Sequence, residues 1–138
     1  TIPACGRPAM AKAVLLDTCA LLWIGGAPDR ISAATRKRLE SADAVYASPV
    51  SLWEVAFKVA LGKLELTMTP EEWFEMVKAD YGISVLSLSE AVMLKAAELP
   101  LHHRDPADRF IIATALENDL PVVTSDDKFE KYGVKTIW

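Results

Sequence analysis

From residue 12 onward, short apolar runs alternate with longer segments opened by helix caps, a pattern that predicts alternating strands and helices. Ala13–Leu16 is a continuous apolar run closed by Asp17, of the kind found in strands buried on both faces. Thr18–Ile24 reads as a short helix stopped at Gly25-Gly26, and Ser32 is a good N-cap for a helix over 33–42 whose polar face carries Arg36, Lys37 and Glu40. A second strand follows over 44–47. Ser48-Pro49 then supplies an N-cap and a first-position proline for a helix that closes at Gly62.

In the second half, Thr69-Pro70-Glu71-Glu72 is a capping box for a helix to about Ala79, and Gly82 precedes a third strand over 83–86. Ser89 caps a helix over 90–98 that stops at Pro100. Asp105-Pro106-Ala107-Asp108 opens a longer helix to about Asn118, with a fourth strand over 121–124 and a fifth over 134–137. Strands joined by helical connections predict an α/β fold, a mostly parallel sheet of about five strands covered by helices on both faces.

Size and composition limit the classes. The 138 residues suit one domain able to bury roughly 70% of its unfolded surface. Apolar residues at 51% and charged residues at 25% argue against disorder. Asp17, Glu54 and Lys58 interrupt the longest apolar stretches, leaving none near the roughly 20 residues of a membrane span. The expected product is soluble. Residues 1–9, with Pro3, Gly6 and Pro8 and no periodicity, read as a leader or flexible tail, leaving 10–138 as the domain. Cys5 and Cys19 have neither CxxC spacing nor a histidine pair nearby, so reduced thiols in a cytoplasm are expected. A net charge of −4 offers no general attraction for nucleic acid, so a polyanion must be held locally or through metal.

Four acids sit at strand ends and helix starts, where segments of an open α/β sheet converge. Each has a plainer reading. Asp17 could simply cap the first helix. Glu54 precedes Lys58 by four residues, the spacing of an exposed ion pair worth about 0.3–0.5 kcal/mol. Its helix, however, is apolar nearly all round except for Ser51, Glu54 and Lys58, which predicts a buried helix whose polar stripe lines a cleft. Asp105 is the better cap for its helix, which leaves Asp108 in the first turn, where the helix dipole favours an ionised carboxylate. Asp126 and Asp127 could be turn residues. Together, Asp17, Glu54, Asp108 and Asp126 point to a metal site, and carboxylate oxygens suit Mg²⁺ or Mn²⁺.

Four segments, 15–23 (LLDTCALLW), 51–58 (SLWEVAFK), 103–115 (HRDPADRFIIATA) and 123–126 (VTSD), resemble the PIN-domain ribonucleases, specifically the VapC-type toxins of bacterial toxin–antitoxin pairs. The resemblance spans about Lys12 to Trp138, and the Gly62-Lys63-Leu64 and Tyr132-Gly133-Val134 segments extend it. It implies a three-layer α/β/α sandwich and an endoribonuclease dependent on Mg²⁺ or Mn²⁺. It also implies Asp17, Glu54, Asp108 and Asp126 as catalytic metal ligands, supported by Thr124 and Asp105. Such an enzyme uses metal-activated water to leave 5′-phosphate and 3′-hydroxyl ends. The implied partners are an RNA substrate, a small cognate antitoxin and a second copy of the chain. Cys19 stands where nearby members commonly carry histidine.

His102, His103, Arg104 and Arg109 form the dense basic cluster, with His103, Arg104 and Arg109 as candidate RNA contacts and Arg109 equally able to pair with an acid. Leu21, Leu22, Trp23 and the Trp53 helix supply apolar residues suited to assembly surfaces, and the four tryptophans are better read as core or interface than as base-stacking platforms. Other chemistries fit less well. A haloacid-dehalogenase-type phosphatase needs a second Asp where Cys19 stands, and a receiver domain needs a lysine immediately after the fourth strand. A metal-free ribonuclease needs opposed rather than adjacent histidines. The remaining alternative is a non-catalytic RNA- or partner-binding module with a vestigial acidic pocket.

Overall fold

The computed structural model describes residues 12–138; residues 1–11, which hold the predicted leader and Cys5, lie outside the described part. Five strands, β1 (Ala13–Leu16), β2 (Ala44–Ala47), β3 (Ile83–Val85), β4 (Val122–Val123) and β5 (Thr136–Ile137), form one sheet in the order β3-β2-β1-β4-β5. Every pairing is parallel, with Leu15 opposite both Tyr46 and Val122. The helices are α1 (Thr18–Gly26), α2 (Ala33–Glu40), α3 (Pro49–Ala60), α4 (Pro70–Tyr81), α5 (Glu90–Glu98) and α6 (Pro106–Asn118).

The period-two alternation of β1 assigns the two layers around the sheet. Ala13 and Leu15 join a core with Val92, Ala96, Ile111, Ile112 and Phe129, under α5 and α6. Val14 and Leu16 join a second core with Leu21, Ile24, Trp73, Phe74 and Val77, under α1 and α4. All four β1 residues are fully buried, as an uninterrupted apolar run requires in a central parallel strand. The three-layer α/β/α arrangement is therefore the one expected.

Local chemistry accounts for the helix boundaries. Thr69 and Glu72 complete the capping box of α4, which runs to Tyr81, two residues beyond the expected Ala79, and Gly82 ends it in the left-handed conformation at φ 63°. Ser32, Ser48, Ser89 and Asp105 cap α2, α3, α5 and α6 through their side chains. Some spans differ from the sequence reading. Helix α1 continues through both glycines to Gly26, and α2 stops at Glu40, two residues short. Strands β3, β4 and β5 are shorter at their ends, yet Thr124 still donates its N–H to Ile137 O (3.1 Å), so pairing outlasts the regular strand.

Chain order sets the crevice. The chain runs from β1 outward through β2 to β3, returns to β4 on the other side of β1, and continues outward to β5. The direction of progression therefore reverses between β1 and β4, the place where open α/β sheets bind ligands beyond their strand ends. Asp17 and Thr124 leave those two strands side by side, with the Asp17 N–H donating to Val123 O at 3.1 Å. One sequence expectation is corrected here. Helix α3 is not buried all round, because Trp53, Phe57 and Leu61 are 55%, 49% and 53% exposed. Leu21, in contrast, belongs to the core rather than to an assembly surface.

Candidate metal centre

Asp17 serves two ends at once. It follows β1 and caps α1, its Oδ1 accepting from the Ala20 N–H at 2.8 Å, so capping and a buried place at the crevice coexist rather than compete. Directly after it, Thr18 Oγ1 and Ser51 Oγ share a buried hydrogen bond of 2.9 Å. That contact fastens the start of α1 to the first turn of α3 and carries Glu54, one turn further on, toward Asp17. Thr124, just past β4, hydrogen-bonds Asp17 through its side chain while its Oγ1 accepts from the Asp126 N–H at 3.0 Å. Thr124 thus links two of the four acids. Asp108 comes from the first turn of α6, whose cap is Asp105, with Oδ1 accepting from the Ala107 N–H at 3.0 Å.

Electrostatics report the convergence. Burial pushes the Asp17 carboxyl up to about 6, with Asp126 and Glu54 raising it further against the opposing hydrogen bonds from Thr124 and Ala20. Asp108 is raised further still, to about 8, by burial first and then by the charges of Asp105, Glu54, Asp17 and Asp126. The helix dipole therefore does not keep Asp108 ionised, contrary to the expectation from its position alone, because desolvation and like charge outweigh it. Glu54 and Asp126 act on both Asp17 and Asp108, Asp17 acts on Asp108, and Asp105 adds to the field at Asp108 from the exposed side.

Glu54 departs from the plain ion-pair reading. Its Oε2 lies 3.7 Å from Lys58 Nζ, a loose contact, while its Oε1 is buried with no hydrogen-bond partner. A buried carboxylate oxygen without a donor is costly unless something positive meets it. An oxygen-rich cluster in which Asp17 and Asp108 are raised and one buried oxygen of Glu54 is orphaned has the chemistry that a hard divalent cation satisfies, since a cation favours the ionised form of those two acids. Glu54, Asp17, Asp108 and Asp126 fit that group. Cys19, exposed at the start of α1, feels Asp17, Glu54 and Asp108, and burial raises its thiol pKa.

Two members of the basic cluster have roles the sequence reading missed. His103 is buried at 7% exposure rather than displayed to RNA, and its Nε2 lies 2.9 Å from Asp126 Oδ2 and 3.0 Å from Asp108 Oδ2. Among the described residues Arg109 pairs with backbone carbonyls rather than with an acid. Its guanidinium donates to the carbonyls of Ala96, Leu99, Pro100 and His103 at 2.7–3.0 Å, closing the end of α5 and the loop that leads to α6. Nothing in the spacing of the sequence distinguishes such a fork on backbone oxygens from a phosphate contact, because the acceptors are common to every residue. Arg104 remains exposed, and Asp127 begins the short 3₁₀ turn after Asp126.

Comparison with known proteins agrees with this geometry. The PIN domain family model matches residues 14–135. Ribonuclease VapC22 of Mycobacterium tuberculosis is 29% identical over 120 residues, covering 86% of this chain and 91% of that protein. Among solved structures, VapBC2 of Rickettsia felis bound to a promoter DNA fragment has a TM-score of 0.69 at 14% identity, covering 91% of this chain and 97% of its counterpart. DNA-bound VapBC of Salmonella typhimurium has a TM-score of 0.67 at 18% identity, covering 91% and 96%. The latter two similarities concern the fold. The sequence match over residues 14–135, together with the acid-lined crevice at the sheet's point of reversal, establishes that the chain belongs to the PIN domain family.

Proposed function

We propose that the chain is a Mg²⁺- or Mn²⁺-dependent endoribonuclease and the toxin of a toxin–antitoxin pair, acting in the cytoplasm. The observation that carries this reading is that Glu54 and Asp126 act on both Asp17 and Asp108 beside the β1–β4 crevice, with Glu54 Oε1 buried and unpaired. The ribonuclease relative and the VapBC complexes support it. Asp17, Glu54, Asp108 and Asp126 hold the cation, Thr124 orients Asp17 and Asp126, and Asp105 fixes the start of α6. When bound, the cation supplies Lewis acidity to the phosphodiester and a water acidified for in-line attack. Exposed Arg104, beside the Asp108 turn, is placed to meet the RNA backbone.

Two further parts of the reading concern partners. A small antitoxin covers the acidic groove, and a second copy of the chain packs on the exposed α3 face. On that face Trp53 and Phe57 stack with centroids 5.3 Å apart. The decisive experiment compares RNA cleavage by the wild type, Asp17→Asn and Asp108→Asn with Mn²⁺ and with EDTA, followed by sequencing of the RNA ends. Each substitution is expected to lower the metal-dependent rate by about 100-fold or more, since each removes a ligand charge. Cleavage that continues at the wild-type rate in both variants, or in EDTA, contradicts the assignment. RNA binding without cleavage or Mn²⁺ binding would instead favour a non-catalytic module with a vestigial pocket.

A further inference from the structure

His103 is held from every side. Its backbone N–H donates to Tyr132 Oη at 2.7 Å, and that hydroxyl donates in turn to Pro100 O at 2.6 Å. Its carbonyl accepts from Arg109, and its ring meets Phe129 edge-on at 6.1 Å. The Asp105 N–H points at Nδ1 across 3.3 Å, and an N–H can only donate, so Nδ1 is the accepting nitrogen. With Nδ1 accepting, the ring proton sits on Nε2. That atom faces Asp126 Oδ2 and Asp108 Oδ2 together, while Asp126 Oδ1 is occupied by the Lys128 N–H at 2.9 Å.

The ligand atoms of His103, Asp108 and Asp126 lie within 4.8 Å of one another, close enough to hold a metal among the three. Direct ligation by Nε2 would require moving the ring proton to Nδ1, which would set two N–H groups against each other at Asp105. The hydrogen bonds thus favour a donor over a ligand. We propose that His103 is a positioning residue, a fixed Nε2–H donor that ties Asp108 to Asp126 and sets the separation of two site carboxylates. It is neither a metal ligand nor an RNA contact. This inference rests on the metal-dependent nuclease reading above, and it assigns the Tyr132 and Arg109 contacts the task of holding the donor in place.

The test compares the wild type with His103→Leu, which removes the donor, and His103→Gln, whose amide restores an N–H near the position of Nε2. Mn²⁺ binding is measured by calorimetry and by pulsed electron paramagnetic resonance, cleavage by steady-state kinetics, and folding by circular dichroism. His103→Leu is expected to bind Mn²⁺ about 10–100-fold more weakly and to lose kcat with little change in KM, while His103→Gln recovers most of both. No nitrogen hyperfine coupling is expected on Mn²⁺ in the wild type. Wild-type Mn²⁺ affinity in His103→Leu, a rise in KM alone, a glutamine variant no better than leucine, or coupling from a directly bound imidazole would each overturn the proposal. If His103→Leu does not fold, His103→Gln decides. An affinity within about threefold of wild type supports the proposal, and a loss of about tenfold or more overturns it. A wild type that neither binds Mn²⁺ nor cleaves RNA removes the nuclease reading as well, whereas an active wild type with an unaffected leucine variant removes this inference alone.

Discussion

Burial beside Glu54 and Asp126 disfavours ionisation of Asp17 and Asp108, which are raised to about 6 and about 8. Unfolded, both carboxyls titrate near 3.9. Between those values the folded state binds protons more tightly than the unfolded state, so their contribution to stability is complete below about pH 4 and is lost as pH rises through 6 and 8. We predict that the metal-free protein melts at a lower temperature at about pH 8 than at about pH 5, by several degrees. Asp108→Asn should flatten that slope and raise the melting temperature near neutrality, even as it removes activity. Millimolar Mn²⁺ should stabilise the wild type more at the higher pH. A melting temperature that is flat in pH, and identical in Asp108→Asn, would contradict this account of the acids.

Among the elements, the junction between α5 and α6 depends on a side chain from the second helix. Arg109 satisfies carbonyls at the C-terminal end of α5 that no helical N–H can reach. Arg109→Ala is expected to cost about 2–4 kcal/mol in urea denaturation, because several buried acceptors lose a charged donor at once. Arg109→Lys should recover little of that, since an ammonium cannot span the same fork. The contact between α1 and α4 is limited by volume rather than by hydrogen bonding. A Cβ at Gly25 would stand 2.8 Å from Val77 Cγ2 and 3.1 Å from the Trp73 ring. Gly25→Ala should therefore destabilise by about 1–3 kcal/mol despite its better helix propensity, and a stabilised variant would show that the helices separate freely.

Over the whole molecule, the reversal in the order of strands beside β1 gathers residues more than 100 positions apart in sequence, from Asp17 to Asp126. The cost is electrostatic, and on the proposed reading a divalent cation offsets it. Trp53 and Phe57 on α3 and Leu61 at its C-cap leave an apolar stripe that single exposed side chains do not explain. If a second copy covers it, light scattering at micromolar concentration should give a dimer, and Trp53→Ala with Phe57→Ala should give a folded monomer. A wild-type monomer under those conditions would remove the dimer from the reading. None of the described helices is long and apolar enough to cross a membrane.

Much of this arrangement was legible before folding, because its signals are local. The all-apolar run of β1, the capping box at Thr69, the Ser-Pro start of α3 and the Asp105-Pro106 start of α6 each depend on residues within one turn of one another. Asp17, Asp108 and Asp126 stood out as candidates for the same reason, each near the boundary of a readable element, whereas Glu54, in the second turn of α3, stood out as an acid on an otherwise apolar helix. Other properties depend on which segments meet. The exposed face of α3 was misread as buried because an apolar helix surface does not say whether a neighbour covers it. The carbonyl fork of Arg109, left open in sequence between a phosphate and an acid, and the carboxylate contacts of His103 were not legible, because a basic side chain in sequence does not name its acceptors. The raised carboxyl of Asp108 belongs to the same class, since desolvation and the fields of Glu54, Asp17 and Asp126 exist only after distant strands and helices have packed. Sequence alone determined the elements and their boundaries, through short-range propensity and capping; tertiary structure decided which groups meet at the crevice, their burial and their partners, because those energies depend on contacts between residues far apart in the chain.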